Sequence, residues 1–280
     1  MYHNLVKLET LYLKINHRKS INMLNIGLVG ANGRMGKAVA IQISNKPNQF
    51  NLKCAIVNNI NNIDNEIKHI AQTCSDSFTM LKDVDVVIDF SEAKNCVALL
   101  SYCLENKLPL VIGTTGFNEE EQKIIKHYAL KIPVLHAPNT SLSVNVLFKA
   151  AEFIAKKLEH FEVEITEAHH RYKKDSPSGT AIKLGETIAN ARGINLSECA
   201  KYNRFGVNEI RKSNEIGFSV IRGGDIIGMH DVQFISDGEI LSLKSQINNR
   251  ASFANGALLA AQFLYNKPAG LYSMSDVLEL

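Results

Sequence analysis

Between Asn25 and Ala137, short unbroken apolar runs alternate with amphipathic stretches, and few folds accommodate that alternation. The runs Asn25–Val29, Leu52–Val57, Val84–Phe90, Leu108–Ile112 and Val134–Ala137 are expected as strands. Helical patterns lie near Arg34–Ser44, Ala93–Glu105 and Glu119–Leu130. Strands that are apolar throughout, rather than at every second residue, are buried on both faces. Joined by helices through short connections, they predict a doubly wound parallel sheet, an α/β class.

The pattern then changes. A helix is expected near Val144–Leu158, with Leu147, Ala151, Ile154 and Leu158 on one face. Phe161, Val163 and Ile165 next alternate with Glu162, Glu164 and Thr166, the mark of a half-exposed strand. Gly217–Arg222, Ile226–Ile235 and Glu239–Ile247 read as a meander, with Asp237-Gly238 as a hairpin turn. That is α+β character, and Asn255–Tyr265 returns to a helical pattern.

Composition narrows the function classes. At 280 residues the chain has room for one large or two ordinary domains, each with its own core. A hydrophobic fraction of 45% and a charged fraction of 21% are ordinary for a globular protein, and no stretch is long and apolar enough to span a bilayer. The net charge of +3 resides in the first 22 residues, where Lys7, Lys14, Arg18 and Lys19 face Glu9 alone. Removing these from 31 basic and 28 acidic residues leaves 27 of each, so nothing points to a nucleic-acid partner. Residues 1–22 read as a loose extension, or as sequence upstream of a start at Met23. The five cysteines form no CxxC pair and no zinc spacing, which fits a reducing, cytoplasmic setting.

Gly30-Ala31-Asn32-Gly33-Arg34-Met35-Gly36 follows the first expected strand and opens the first helix. Glycines in this place permit a tight turn and let backbone amides approach a pyrophosphate at the positive end of a helix. A Rossmann-like dinucleotide site is therefore expected. Val57-Asn58-Asn59 ends the second strand where an acidic residue would favour NAD. Asn58 can bond a ribose without repelling a 2′-phosphate, and Arg34 can pair with one; equally, Asn58 and Asn59 can simply make a turn. The expectation is use of both NADH and NADPH, or some lean to NADPH. Asp89-Phe90-Ser91, Gly113-Thr114-Thr115-Gly116 and Ala137-Pro138-Asn139-Thr140 end the third, fourth and fifth strands on the same edge, where a ligand would lie.

The run from Glu164 to Ala181, EITEAHHRYKKDSPSGTA, carries the chemistry. His169 and His170 should point opposite ways at a strand end, one as a proton donor and the other as a substrate hydrogen-bonder. Lys173 can hold a carboxylate. Asp175 or Ser176 suits a helix N-cap, with Pro177 at the first helical position. Ser178, Gly179 and Thr180 would then offer unpaired amides to an anion. Adjacent histidines without a third spaced ligand make a poor zinc site, so no metal is expected. The equipment suits a small anionic substrate that must be protonated.

This run matches the E-x-x-E-A-H-H-x-x-K-x-D-x-P-S-G-T-A signature, and the chain resembles the 4-hydroxy-tetrahydrodipicolinate reductase (dihydrodipicolinate reductase) family from about Leu24 to Leu280. The likeness includes GANGRMG, IDFS at Ile88–Ser91, VIGTTGF at Val111–Phe117, the Asn139–Val146 segment, RGGDIIGMH at Arg222–His230 and FANGA at Phe253–Ala257. The resemblance implies an NAD(P)H-dependent reduction of a small cyclic dicarboxylate in diaminopimelate and lysine biosynthesis. It makes His169 the proton donor, assisted by Lys173, and gives the substrate to His170, Gly179 and Thr180. It gives the cofactor to Gly30, Ala31, Asn32, Gly33, Arg34, Met35, Asn58, Gly113, Thr114, Thr115, Ala137, Pro138, Asn139 and Thr140, with Arg250 and Phe253 at the domain junction. It also implies a dinucleotide-binding domain of residues 23–140 and 251–280, an inserted substrate-binding and tetramerisation domain of residues 141–250, and a homotetramer. Thr140 and Ser143 depart from the family pattern, as does Asn58. A semialdehyde or homoserine dehydrogenase is the rival enzyme, though no cysteine lies in a nucleophile motif. A nucleotide-sensing module is the rival binder, and it has no use for His169 and Lys173.

Overall fold

The computed structural model describes residues 23–280 apart from 203, 207–209 and 213. The extension read in residues 1–22 lies outside the described residues. Two compact units are present: the described residues up to Val134 with Leu264–Gly270, and Leu135–Phe263 with Leu271–Leu280.

In chain order the first stretch runs β1 (Leu24–Val29), α1 (Arg34–Ser44), β2 (Phe50–Ile56), a 3-10 turn at Ile60–Asn62, α2 (Asn65–Ile70), β3 (Thr73–Ser75), a second 3-10 turn at Phe78–Asp83, β4 (Val86–Asp89), α3 (Ala93–Glu105), β5 (Leu110–Ile112), α4 (Glu119–Ala129) and β6 (Pro133–His136). Then follow α5 (Leu142–Lys157), β7 (Glu162–His169), α6 (Gly179–Ala191), α7 (Leu196–Cys199), β8 (Ala200–Lys201), β9 (Ile216–Arg222), β10 (Gly228–Ser236), β11 (Glu239–Ile247), α8 (Ala251–Leu264), β12 (Gly270–Tyr272) and α9 (Met274–Leu278). All five strands expected in the first half form, with ends shifted by a few residues.

The seven-stranded sheet has the order β12-β6-β5-β4-β1-β2-β3. The pairs β1–β2, β2–β3, β1–β4 and β4–β5 are parallel. From β1 the chain winds outward through β2 and β3, then returns to β4 on the other side. The switch point between β1 and β4 is where a doubly wound sheet opens a crevice at its strands' carboxyl ends. Helix α3 buries Cys96, Leu99, Leu100 and Cys103, spaced as one face of a helix, against Val87, Leu110, Ile112 and Val134. Helix α4 begins with a capping box between Asn118 and Glu121, has Glu119 and Glu120 in its first turn and ends with Lys126 and His127, all aligned with its dipole.

The second sheet has the order β11-β10-β7-β9-β8. One face packs Val163, Ile165, Ile216, Phe218, Val232 and Phe234 against Leu147 and Ala151 of α5 and Leu184 and Ile188 of α6. The meander reading needs correction. Strands β10 and β11 do form an antiparallel hairpin, with Gly238 at φ +89° in its turn. Strand β9, however, lies on the far side of β7 and parallel to it. The connection from β9 to β10 passes over the carboxyl end of β7, where the Gly223 amide donates to the His169 carbonyl at 3.0 Å and the Arg171 amide to the Gly224 carbonyl at 3.3 Å. Strand order is a long-range property, so three consecutive strand patterns alone could not reveal the crossing.

Candidate active site

Each unit holds one set of residues suited to ligand chemistry. In the first, the turn after β1 places Gly30 at φ +77°, and a Cβ there would lie 2.5 Å from the Phe90 carbonyl oxygen. Only glycine meets both demands. The amides of Gly30 and Ala31 donate to the Ile56 carbonyl, and that of Gly33 to Gly30. Helix α1 then starts at Arg34 with no side-chain cap and no acid in its first turn. An uncapped, acid-free helix N-terminus suits a pyrophosphate.

A cleft of about 390 Å³ opens beside this turn, lined by Gly30, Asn32, Gly33, Val57, Asn58, Asn59, Asn62, Phe90, Ser91, Glu92 and Asn95. Of the expected cofactor residues, Gly30, Asn32, Gly33 and Asn58 meet there. Ala31 is buried, Arg34 is exposed, and neither they nor Met35 lines the cleft. Asn59 does make a turn, since its side chain accepts the Asn61 amide, while Asn58 receives Asn95 Nδ2 at 3.5 Å. On the same strand edge, buried Asp89 accepts the Thr114 hydroxyl at 2.7 Å and the Ser91 amide at 3.1 Å, and its main chain accepts the Gly113 amide. Burial pushes the Asp89 carboxyl above its ordinary range despite those hydrogen bonds. Thr115 is exposed.

In the second unit, Asn139 donates to the Thr180 hydroxyl at 3.3 Å and accepts the Ser141 amide at 2.9 Å. Thr140 is buried, and its hydroxyl donates to the Phe253 carbonyl at 2.7 Å. Arg250 accepts the amides of Phe253 and Ala254 as α8 begins. Ala137 is buried and Pro138 exposed in the same connection.

His169 ends β7 on the helix-covered face, 8% exposed. Its Nδ1 lies 2.5 Å from Oε2 of Glu167, a carboxylate only 1% exposed. Arg222 donates to both Glu167 oxygens at 2.9 and 2.8 Å, and the Ser178 amide adds a bond at 3.0 Å. Burial alone would raise the Glu167 pKa; the bonds from His169, Arg222 and Ser178 outweigh it and hold the group at about 2. His230 stands edge-on to His169 with ring centroids 5.2 Å apart, and its Nε2 is 3.1 Å from Ser178 Oγ. Burial, then the neighbouring His169, lowers His230 to about 4. Lys173 Nζ pairs with Asp175 at 2.9 Å. Burial opposes the ionised Asp175, but Lys173 and backbone amides including that of Gly179 win and hold its pKa low. His170 keeps a buried Nδ1 with no hydrogen-bond partner among the described residues.

The expected cap at Asp175 or Ser176 is corrected. Helix α6 starts at Gly179, and Ser178 is its N-cap, accepting the Ala181 amide at 3.3 Å. Pro177 precedes the helix in a cis peptide rather than opening it. The Ser178 and Gly179 amides are not unpaired, because Glu167 takes the first and the Asp175 carboxylate the second. Sequence reasoning missed Glu167, Arg222 and His230 as members of the site. For Glu167 a signal existed: it continues the every-second-residue row of Val163 and Ile165, and an acid in a buried row requires partners.

These pKa shifts set the acid stability. His230 titrates at about 4 folded against 6.5 ordinarily, and Glu167 at about 2 against 4.5. Between each pair of values the unfolded chain binds more protons, so stability falls as pH falls. Melting temperature should therefore decline from pH 6.5 to 4 through His230 and from 4.5 to 2 through Glu167. A His230→Asn variant should flatten the first interval and spare the second; an unchanged slope between pH 6.5 and 4 would remove His230 from the account.

A parallel sheet with an uncapped glycine turn at its switch point, and a buried His–carboxylate pair beside a helix N-terminus, define the class of Rossmann-type oxidoreductases. Within that class the comparisons are specific. Family models for the N-terminus and the C-terminus of dihydrodipicolinate reductase match residues 24–140 and 143–278. The chain belongs to the dihydrodipicolinate reductase family. It is 40% identical over 266 residues to the 4-hydroxy-tetrahydrodipicolinate reductase of Hahella chejuensis, covering 92% of this chain and 100% of that one. It is also 40% identical over 259 residues to that of Rickettsia rickettsii, with the same coverage. A dipicolinate-bound dihydrodipicolinate reductase from Paenisporosarcina shares the fold with a TM-score of 0.71 and 24% identity, over 90% of this chain and 97% of that one.

Proposed function

We propose that the chain reduces 4-hydroxy-tetrahydrodipicolinate to tetrahydrodipicolinate in diaminopimelate and lysine biosynthesis, using NADH and NADPH or with some lean to NADPH. The observation that carries this reading is a buried His169 with one nitrogen held by Glu167, near Lys173 and the N-terminus of α6. Its family membership agrees.

The substrate loses water and gains a hydride and a proton. When bound, the reduced nicotinamide supplies the hydride. The chain supplies the rest. His169 delivers the proton from Nε2, since Nδ1 is engaged by Glu167. Lys173 assists the proton transfer, Gly179 and Thr180 hold a substrate carboxylate, and that corner already accommodates one, the Asp175 side chain between Lys173 and the Gly179 amide. His170 offers its unpartnered Nδ1 to the substrate. For the cofactor, Gly30 to Met35 and Asn58 take the pyrophosphate and adenosine ribose, with Gly113 to Thr115, Ala137 to Thr140, Arg250 and Phe253 as further contacts. Asn58 on the cleft wall, where an acid would select NAD, supports use of both cofactors.

The domain limits 23–140 with 251–280, and 141–250, are part of this reading; the family models change over between residues 140 and 143. A cytoplasmic homotetramer is proposed as well. Its support is five free thiols, the absence among the described residues of a helix able to cross a membrane, and Ile221 and Ile240, 48% and 64% exposed on the sheet face away from the helices. Sedimentation at the monomer mass would overturn the tetramer. The reaction is tested by loss of reduced-nicotinamide absorbance with substrate made in place from pyruvate and aspartate semialdehyde. Substrate-dependent oxidation is expected with both cofactors. No oxidation with either, in folded protein that binds cofactor, would sink the assignment.

A further inference from the structure

We infer that Glu167 is the positioning residue of the proton donor: fixed by Arg222 and the Ser178 amide, it sets the ring orientation and tautomer of His169. The inference rests on the reading of His169 as the donor.

Strand register explains how the group assembles. Glu167 lies in the row of Val163 and Ile165, on the face that α5 and α6 cover. Across the sheet, His230 of β10 stands opposite Glu167, and Arg222 of β9 stands opposite His169. The apolar core thus gives way, at the carboxyl end of β7, to four polar side chains on three adjacent strands. A buried carboxylate without partners would be costly. Glu167 has four bonds, two on each oxygen: Oε2 takes His169 Nδ1 and one Arg222 nitrogen, and Oε1 takes the other Arg222 nitrogen and the Ser178 amide. A bidentate guanidinium leaves a carboxylate little freedom to rotate. With Nδ1–H directed at Glu167, Nε2 is the nitrogen left to face a substrate. Gly228 stands opposite that nitrogen; a Cβ there would lie 3.2 Å from it, so glycine keeps the approach open.

The same carboxylate touches the N-cap of α6, the helix whose first residues are assigned to the substrate carboxylate. Glu167 thereby sets the distance between the acid and the anion site. A buried ion pair that served only the fold would not need its remaining donors to be the catalytic histidine and that N-cap. Glu167 bonds His169 Nδ1, Arg222 bonds the same Glu167 oxygen, and His230 stands edge-on to the ring, with Lys173 close enough to help lower the His230 pKa.

The test uses the full chain with Glu167→Gln and His169→Gln. In wild type, nitrogen NMR of the His169 ring should show the proton on Nδ1 in the neutral form; in Glu167→Gln the tautomers should mix. The same variant should lose roughly 10-fold or more in kcat, with KM for both substrates changed by less than about 3-fold, and its pH–rate profile should move. A wild-type tautomer together with kcat within about twofold of wild type would overturn the inference. If His169→Gln is inactive and Glu167→Gln is fully active, the donor reading stands and the positioning role fails. If His169→Gln is active, the donor reading fails, and with it the catalytic part of the inference, while the tautomer still reports whether Glu167 orients the ring. Should Glu167→Gln not fold, Glu167→Asp retains the charge but retracts it by one methylene. It should likewise lower kcat with KM nearly unchanged, and an undiminished kcat there would overturn the role.

Discussion

Replacing His169 with Gln should lower kcat by about 100- to 10,000-fold, the usual contribution of a positioned general acid, or about 3–5 kcal/mol of barrier. The effect should fall on turnover rather than on cofactor binding, because His169 belongs to the second unit's buried cluster and not to the glycine-turn cleft of the first. Gln is close in size and can still hydrogen-bond the Glu167 carboxylate, so the buried charge keeps a partner and the fold should survive. What Gln lacks is a nitrogen that gives up a proton near neutral pH. Steady-state kinetics with each cofactor, beside a cofactor titration by nicotinamide fluorescence, decides the matter. Unchanged turnover would mean that the proton comes from another group. Lost cofactor binding would mean that the substitution had disturbed more than the acid.

Gly30→Ala should damage the cofactor cleft through the backbone. At φ +77° an L side chain costs about 1–2 kcal/mol, before any contact is counted. Its Cβ would also stand 2.5 Å from the carbonyl oxygen of Phe90, and a main-chain carbonyl at a strand end cannot swing aside as a side chain can. Relief requires the turn after β1 and the turn after β4 to part, and both line the cleft. The expected result is a cofactor Kd at least about 10-fold weaker and a melting temperature several degrees lower. Gly33→Ala is the control for stability. Gly33 has φ −67°, and its Cβ would meet the Gly30 carbonyl at 3.2 Å, so its melting temperature should stay nearer to wild type. Equal losses from the two variants would show that turn geometry is not what reserves position 30 for glycine.

Much of the first sheet was legible because its signals are local. Apolar runs flanked by helical periodicity placed β1, β2, β4, β5 and β6, and the helical pattern expected near Ala93–Glu105 forms as α3 over those residues. The segment 58–75 was harder. It holds a 3-10 turn, α2 and the three-residue β3, none of which was among the expected elements. Asp64 caps α2 through the Glu66 amide at 2.9 Å, a signal visible in the sequence; elements this short give too few residues for a period to emerge. The SPSGT run announced a helix start, yet Ser178 took the cap from Asp175 and Ser176. Every serine or aspartate in such a run is a competent cap, and the choice fell to the one whose amide Glu167 also binds.

Local pattern carried the strand–helix rhythm, the glycine turn, the two-character chain and the closeness of His169, His170 and Lys173 to a helix start. Each depends on neighbours within a few residues, where spacing and residue chemistry suffice. Tertiary structure alone decided that β7 is the central strand of its sheet, with β9 on one side and β10 on the other. From that followed the meeting of Glu167 with Arg222, 55 residues away, and of Ser178 with His230, 52 residues away. The physical reason is that these partners come together through main-chain pairing and burial. A buried carboxylate must find donors, but which donors it finds depends on which strands lie beside its own.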